Sequence, residues 1–299
     1  MDRFAAMSTF IAVIDAGSFS AAARQLGMPL ATVSRRVSDL EDLLQVGLIN
    51  RSTRKLTLTQ AGENYYQSCR RLLDDLGEAE RRASGEYEIP RGDLVITAPL
   101  VFGHLHLTPV VVEFLRIHPE VDVQLLLSDD VVTLPGEQID LALRISHLPD
   151  SSMATEQIGT IRRVVCASPD YLTKNGTPQH PDELDQHDCI TRAALTVPDS
   201  WPFRINGKME SVPLRRRLAV TTAEAAISAS IAGAGLARVL CYQVRQAMHE
   251  GKLATILHDF EPAPLPLSLV YAATRAVPLK LRAFLDFAVP RLRQRLSQE

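Results

Sequence analysis

In the stretch "LATVSRRVSDLEDLL", residues 30–44, small hydroxyls and paired arginines are interleaved with branched apolar residues. At helical spacing Val33, Val37, Leu40 and Leu44 share one side, which leaves Ala31, Thr32, Ser34, Arg35 and Arg36 on the other. A face that needs only solubility is better served by Glu or Lys. Short hydroxyls beside guanidinium groups are donors and acceptors of the size that reads a nucleic-acid groove. Arginine grips guanine with two hydrogen bonds or holds a phosphate, and the sequence leaves both open. Ser34 also fits a surface hydroxyl bonded to the preceding turn, and Arg36 a solvated charge near Asp39 or Glu41. A second basic cluster follows in Arg51, Ser52, Thr53, Arg54 and Lys55, with no acidic residue between Leu43 and Thr59. Arg35 and Arg54 are the strongest contact candidates, Arg54 toward phosphate or the minor groove.

Local signals around these residues specify the elements that must hold them. Phe4, Met7, Ile11 and Ile14 recur at helical steps and predict a first helix, ended by Gly17 in a left-handed cap. Ser18 offers an N-cap to "FSAAARQL", whose Phe19, Ala22, Ala23 and Leu26 form one face. After Gly27, Pro29 suits the first turn of a third helix, so the three make a helix-turn-helix. "LINRSTRKLTLT" then reads as a two-stranded wing with the basic cluster at its tip. From Gln60, Tyr65, Cys69, Leu72, Leu76, Ala79 and Ala83 step by four and three, a heptad seam that predicts a dimerising helix. Packing within its own domain fits the same spacing. Cys69 in that seam reads as an ordinary packing cysteine, and "GEYEIPRGD" as a linker.

Beyond Asp93 the pattern changes to strands alternating with helices. Strands are predicted at 94–98, 121–128, 139–145, 162–168, 217–221 and 267–273, and helices around 110–118, 223–234 and 279–296. Alternation of this kind implies a mostly parallel sheet covered by helices, an α/β class. An enzyme is the rival reading of such a domain, yet no GxSxG, HExxH, GxGxxG or phosphate loop is present. "AGAG" at 232–235 is too glycine-poor for a dinucleotide site and reads as a tight passage from helix to strand. His104 and His106 fall on opposite faces of a predicted helix, while His180, His187 and Cys189 read as loop polarity before a core strand, so no metal site is expected. Arg215–Arg217 reads as a charged sheet edge.

Composition bounds the partners. A net charge of -3 excludes a chain that coats polyanions indiscriminately, so basic character is local. Four widely separated cysteines support neither a disulfide scaffold nor a zinc knuckle. Asp15, Ser8 and Thr9 interrupt the only signal-like start, and no stretch reads as a membrane span; no membrane partner and a reducing cytoplasm are expected.

With "GSFSAAARQLG", "TVSRRVSDLE", "RSTRKLTLTQAG", "IDLALRI", "CASPDYL" and "AGAGLA" in this order, the chain resembles LysR-type transcriptional regulators over essentially its whole length. "LPDSSM" and "RRVVCASPDYLTKNGTP" are similar to the CrgA-like subgroup. The resemblance implies a winged helix-turn-helix over 1–59, a linker helix and hinge over 60–92, and a two-lobed periplasmic-binding-protein-like effector domain over 93–299. The chain would cross between lobes near Ile161–Val164 and Pro264–Leu267. The implied cleft lining is Pro99, Leu100, Val101, Phe102, Asp129, Arg144, Ser146, Ala167, Ser168, Thr221 and Thr222. Read from the residues alone, Thr221 or Thr222 and Ser168 are helix caps, and Arg144 fits a structural ion pair. Implied partners are double-stranded DNA with paired half-sites, a small-molecule effector and further copies of the chain, as a dimer of dimers or a larger ring; no cofactor is implied. An apolar "PLVF" wall suits an aromatic or otherwise apolar effector, with Arg144 anchoring a carboxylate. The chain departs from the family in having Leu30-Ala31 for the usual Gln-Pro and Gln45 for the glycine after the recognition helix.

Overall fold

The computed structural model describes residues 2–51, 56–84, 89–129, 139–148, 153–192, 200–273 and 277–297. Three helices open the chain, α1 (Arg3–Asp15), α2 (Phe19–Leu26) and α3 (Leu30–Leu44). Asp2 caps α1, and Ser18 caps α2 by accepting from the Ala21 amide at 3.2 Å. Gly17 and Gly27 take the left-handed conformation that ends α1 and α2. Pro29 stands one residue outside α3 as its N-cap rather than inside the first turn.

The buried face of α1 is Ala6, Thr9, Phe10 and Val13, not the row Phe4, Met7, Ile11 and Ile14 expected from spacing; Phe4 is half exposed. Apolar residues lie all round this helix, so two faces fit a helical period and only the neighbours select one. Phe10 and Val13 meet Ala22 of α2 and Val33, Val37 and Leu40 of α3 in a closed core. The wing strands β1 (Ile49–Arg51) and β2 (Leu56–Leu58) pair antiparallel, Ile49 opposite Leu58.

Gln45 ends α3 with φ of 55°, the left-handed conformation that a β-carbon disfavours by roughly 1–2 kcal/mol. Replacement by glycine is expected to raise the stability of this domain by roughly 0.5–1 kcal/mol, after the greater chain entropy glycine loses. A thermal midpoint that stays the same or falls in Gln45→Gly contradicts this.

The long helix α4 (Gln60–Ser84) leads to the regulatory part, which holds two five-stranded sheets. The first lobe contains β3 (Gly92–Ala98), α5 (Leu100–Phe102), α6 (Thr108–Ile117), β4 (Val121–Leu127), β5 (Leu141–Ile145) and β6 (Met153–Ile161). The second contains β7 (Arg163–Ala167), α7 (Pro169–Asn175), β8 (Asp188–Arg192), the hairpin β9 (Ser200–Ile205) and β10 (Lys208–Pro213), β11 (Arg215–Val220), α8 (Ala223–Ile231), β12 (Leu236–Leu240), α9 (Cys241–His249) and β13 (Ala254–Ile256). The chain then returns to the first lobe through β14 (Leu265–Ala272) and α10 (Leu279–Ser297).

Strand orders are β4-β3-β5-β14-β6 and β11-β8-β12-β7-β13. Each sheet is mixed, which corrects the mostly parallel expectation: β3 pairs parallel with β4 and β5, whereas β14 pairs antiparallel with β5 and β6. The second lobe repeats this arrangement, β8 parallel to β11 and β12, β7 antiparallel to β12 and β13. The antiparallel strands are the crossovers themselves. β6 ends the first lobe and β7 begins the second across Arg162, and the return runs between Ile256 and Leu265.

The helical run Leu100–Ile117 is long and apolar enough to cross a membrane, which the sequence reading passed over. Phe102, Leu107, Val110 and Phe114 place it against the first sheet with Phe284 and Leu285 of α10, so it serves as a core helix. A π-turn at Gly103–Leu107 separates α5 from α6. His104 is exposed, while His106 stacks on Phe102 at 4.6 Å, and burial pushes its pKa down to about 4. β11 forms an edge of the second sheet, and Arg215 and Arg217 approach Asp188 at 3.4 and 3.6 Å.

Candidate functional site

Two sites emerge, one on α3 and one between the lobes. On α3, Val33, Val37 and Leu40 are fully buried, whereas Leu30, Ala31 and Arg35 are exposed and Thr32 and Ser34 half-buried at the N-terminal part of the helix. Glu41 accepts from the Leu48 and Ile49 amides at 2.8 and 3.1 Å, which fixes the wing against α3. Arg36 departs from the expected outward row. Its Nη1 lies 3.4 Å from Thr9 Oγ1 and 3.4 Å from Met28 Sδ, so it ties α3 to α1 rather than standing near Asp39 or Glu41. The backbone of Arg51 closes β1; Ser52, Thr53 and Arg54 lie outside the described residues.

The heptad seam divides. Tyr65 packs on Phe10 with ring centroids 6.0 Å apart, and Cys69 is fully buried inside the chain, so both belong to its own core. Burial pushes the Cys69 thiol up and the Tyr65 hydroxyl up to about 12, which keeps both protonated at neutral pH. Leu72 is half exposed and Leu76 partly so; the side chains of Ala79 and Ala83 lie outside the described residues. Heptad spacing reports that a helix is covered, not by whom.

Between the lobes lies a cavity of about 410 Å³. Pro99, Asp129, Arg144 and Ser146, named above from the resemblance, line this cavity, and the Leu100 amide donates to Asp129 Oδ1 at 3.1 Å. Val101 and Phe102 do not line it: they turn into the first core, because the helix begun at Leu100 must cover its sheet. Ala167 is buried in the second core, and Ser168 is buried while capping α7 through the Tyr171 amide at 3.3 Å. Thr221 is exposed, and Thr222 caps α8 by accepting from Ala225 at 3.2 Å, leaving Ala223 and Ala226 to line the cleft. The reading of Ser168 and Thr222 as caps is the one the geometry shows.

The second lobe supplies what sequence reasoning missed. Arg163, Thr191, Arg192, Trp201, Arg238 and Gln243 all line the cleft. Arg163 opens β7 and Arg238 lies on β12, where Leu240 stands opposite Arg163 and Arg238 opposite Val165. The two guanidinium groups are therefore diagonal neighbours on one sheet face. Arg192 Nη1 meets Asp129 Oδ2 at 2.8 Å, an ion pair that bridges the lobes. Burial lowers the pKa of Arg144, Arg163 and Arg238, the last to about 10, with the charges of Arg192 on Arg163 and of Arg163 on Arg238 adding to it. These three remain cationic at neutral pH, and among the described residues they line the cleft together with Arg192 and Asp129. Trp201 sits on β9, and Asn206-Gly207, both at positive φ, make the hairpin turn to β10. That dipeptide was the available signal for the hairpin.

Residues 4–63 match the family described as bacterial regulatory helix-turn-helix protein, lysR family, and residues 88–293 match the LysR substrate binding domain. The chain is 34% identical over 287 residues to an HTH-type transcriptional regulator of Xanthomonas campestris, covering 95% of this chain and 83% of that protein. It is 34% identical over 289 residues to the HTH-type transcriptional regulator CrgA of Neisseria meningitidis serogroup C, covering 96% of each. The solved structure of CrgA, a LysR-type regulator from Neisseria meningitidis, superposes with a TM-score of 0.61 at 32% identity, covering 96% of this chain and 98% of that one. Two domain matches in tandem, full-length similarity to CrgA and a fold with a helix-turn-helix ahead of two lobes lead to one identification: the chain belongs to the LysR family of transcriptional regulators, among its CrgA-like members, and is not an enzyme.

Proposed function

We propose that this regulator acts in the cytoplasm as a homo-oligomer, a dimer of dimers or a larger ring, that places winged helix-turn-helix heads on paired half-sites. Its effector is a small organic acid held between the lobes. The observation that carries the effector reading is the cleft itself, in which Arg144 of the first lobe and the Trp201 indole of the second line one cavity. The apolar wall comes from Trp201, Ala223 and Val239 rather than from "PLVF", and Arg144 is the carboxylate anchor. An aromatic acid fits this lining better than a heavily hydrated sugar.

The Asp129–Arg192 pair gives the effector a means of acting. An acid anchored on Arg144 brings a second negative charge into the cleft that holds the Asp129–Arg192 pair, biases lobe closure and shifts subunit packing. That alters the separation of the DNA-binding heads and the bend required of the operator.

Trp201 is the one tryptophan of the chain and lines the cleft, so its emission reports occupancy directly. Benzoate is expected to change that emission saturably. Arg144→Ala is expected to weaken binding by roughly tenfold to a hundredfold, the usual value of hydrogen bonds to a charged group. Emission that responds to sugars and to no aromatic acid would overturn the effector class.

DNA binding is tested by selecting bound genomic fragments and titrating the best one against a scrambled fragment across salt. The best fragment is expected to bind roughly a thousandfold more tightly or better. Equal affinity that appears only at low salt would mean phosphate attraction alone.

A further inference from the structure

The effector reading above needs one anchor, Arg144, on the first lobe. The second lobe holds buried polar groups that this reading leaves without work. Thr191 is only 2% exposed, yet its hydroxyl has no hydrogen-bond partner among the described residues. Arg238 Nη2 is likewise buried and without a hydrogen-bond partner there, its guanidinium carbon lying 5.9 Å from the Phe203 ring centroid. Both line the cleft, and so does Arg163, the diagonal neighbour of Arg238 across β7 and β12.

A buried hydroxyl and a buried N–H left unmatched each cost roughly 1–3 kcal/mol, and two adjacent cations add repulsion. Such a cluster persists where a bound group repays it. The acceptor these donors share is an oxyanion: it takes the Thr191 O–H and Arg238 N–H as hydrogen bonds and relieves the repulsion between Arg163 and Arg238. Asp129, the acidic residue of the cleft lining among the described residues, cannot serve, since it is held by Arg192 and the Leu100 amide.

We infer that the second lobe carries a separate oxyanion subsite formed by Arg163, Thr191 and Arg238, and that the effector is a diacid whose two acidic groups join the lobes, one on Arg144 and one in this subsite. The inference rests on the effector reading and deepens it. A ligand with an acid on each lobe couples its binding to closure more strongly than a monoacid anchored on one lobe.

The test is titration of the full-length protein, followed by Trp201 emission, with benzoate and with the 1,2-, 1,3- and 1,4-benzenedicarboxylates. These probes differ only in the presence and spacing of the second acid. At least one diacid is expected to bind tenfold or more tightly than benzoate. That advantage is expected to vanish in Arg163→Gln, at an exposed position at the start of β7, and to shrink in the near-isosteric Thr191→Val, while benzoate affinity stays the same. A carboxyphenyl phosphate, run alongside, distinguishes a phosphate from a carboxylate as the second group; tighter binding by either supports the subsite.

If benzoate binds and no diacid binds more tightly, the second subsite is wrong and the effector reading stands. A diacid advantage that survives both substitutions overturns the assignment to these residues. If no acid of either kind changes the emission, the effector reading falls together with the inference.

Discussion

Arg35→Ala is expected to weaken operator binding by roughly 30-fold to 20,000-fold. The estimate follows from position and symmetry. Arg35 is exposed on the N-terminal half of α3, on the side opposite Val33, Val37 and Leu40, where a recognition helix meets base edges. A good bidentate contact contributes about 1–3 kcal/mol, and a dimer on paired half-sites loses it twice, about 2–6 kcal/mol in all. The two possible roles of Arg35 separate in the same experiment. Loss of a base contact relaxes discrimination at one position of each half-site. Loss of a phosphate contact lowers affinity for all sequences alike and reduces the salt slope by about one per protomer. Arg36→Ala is the control, because Arg36 reaches Thr9 of α1 and Met28 in the turn between α2 and α3. It is expected to lower the thermal stability of the head. Unchanged operator affinity in Arg35→Ala would remove this face of α3 from the DNA interface.

The contrast between Arg35 and Arg36 also shows what a sequence carries. Turn and cap signals are local, and Gly17, Ser18 and Gly27 occupy the positions their chemistry suggests. The inward row of α3 was legible for the same reason, since Val33, Val37 and Leu40 alternate with polar residues that leave one choice of face. On α1 apolar residues lie on every side, and the burial of Phe10 over Phe4 depends on where α2, α3 and Tyr65 arrive. Tyr65 and Cys69 fit a seam between chains as well as they fit their own core, because spacing carries no information about the partner. The direction of Arg36 depends on a helix that precedes it by about twenty residues.

Half of the cleft was hidden for a related reason. Arg163 and Arg238 are 75 positions apart and become neighbours only through the register that sets Leu240 opposite Arg163. Arg192 comes to Asp129 only when the two lobes face each other. Of the residues implied by the family resemblance, Pro99, Asp129, Arg144 and Ser146 line the cavity, whereas Val101 and Phe102 turn into the first core. Those two follow a helix start, and a helix lying on a sheet turns its apolar residues into the core whatever the adjoining cleft contains. Asn206-Gly207, by contrast, was a local signal that marks the hairpin carrying Trp201.

Gly235→Ala is expected to destabilise the regulatory domain by about 2–6 kcal/mol, from two independent costs. Gly235 has φ of 142°, a conformation that residues with a β-carbon rarely adopt, costing about 1–3 kcal/mol. An added β-carbon would also stand 2.1 Å from the carbonyl oxygen of Asp188 and 2.8 Å from its carbon, and relief requires moving backbone, at about 1–3 kcal/mol more. The backbone at risk is the start of β8, whose far end carries Thr191 and Arg192, while β12 beyond Gly235 carries Arg238. The thermal midpoint of the regulatory domain, followed by Trp201 emission, should therefore fall by roughly 5–20 °C. The head has its own closed core of Phe10, Val33, Val37 and Leu40, so operator binding at low temperature should outlast the response to acids. An unchanged midpoint would mean that β8 and β12 can separate without cost, and the geometry assigned to Arg192 and Arg238 would lose its support.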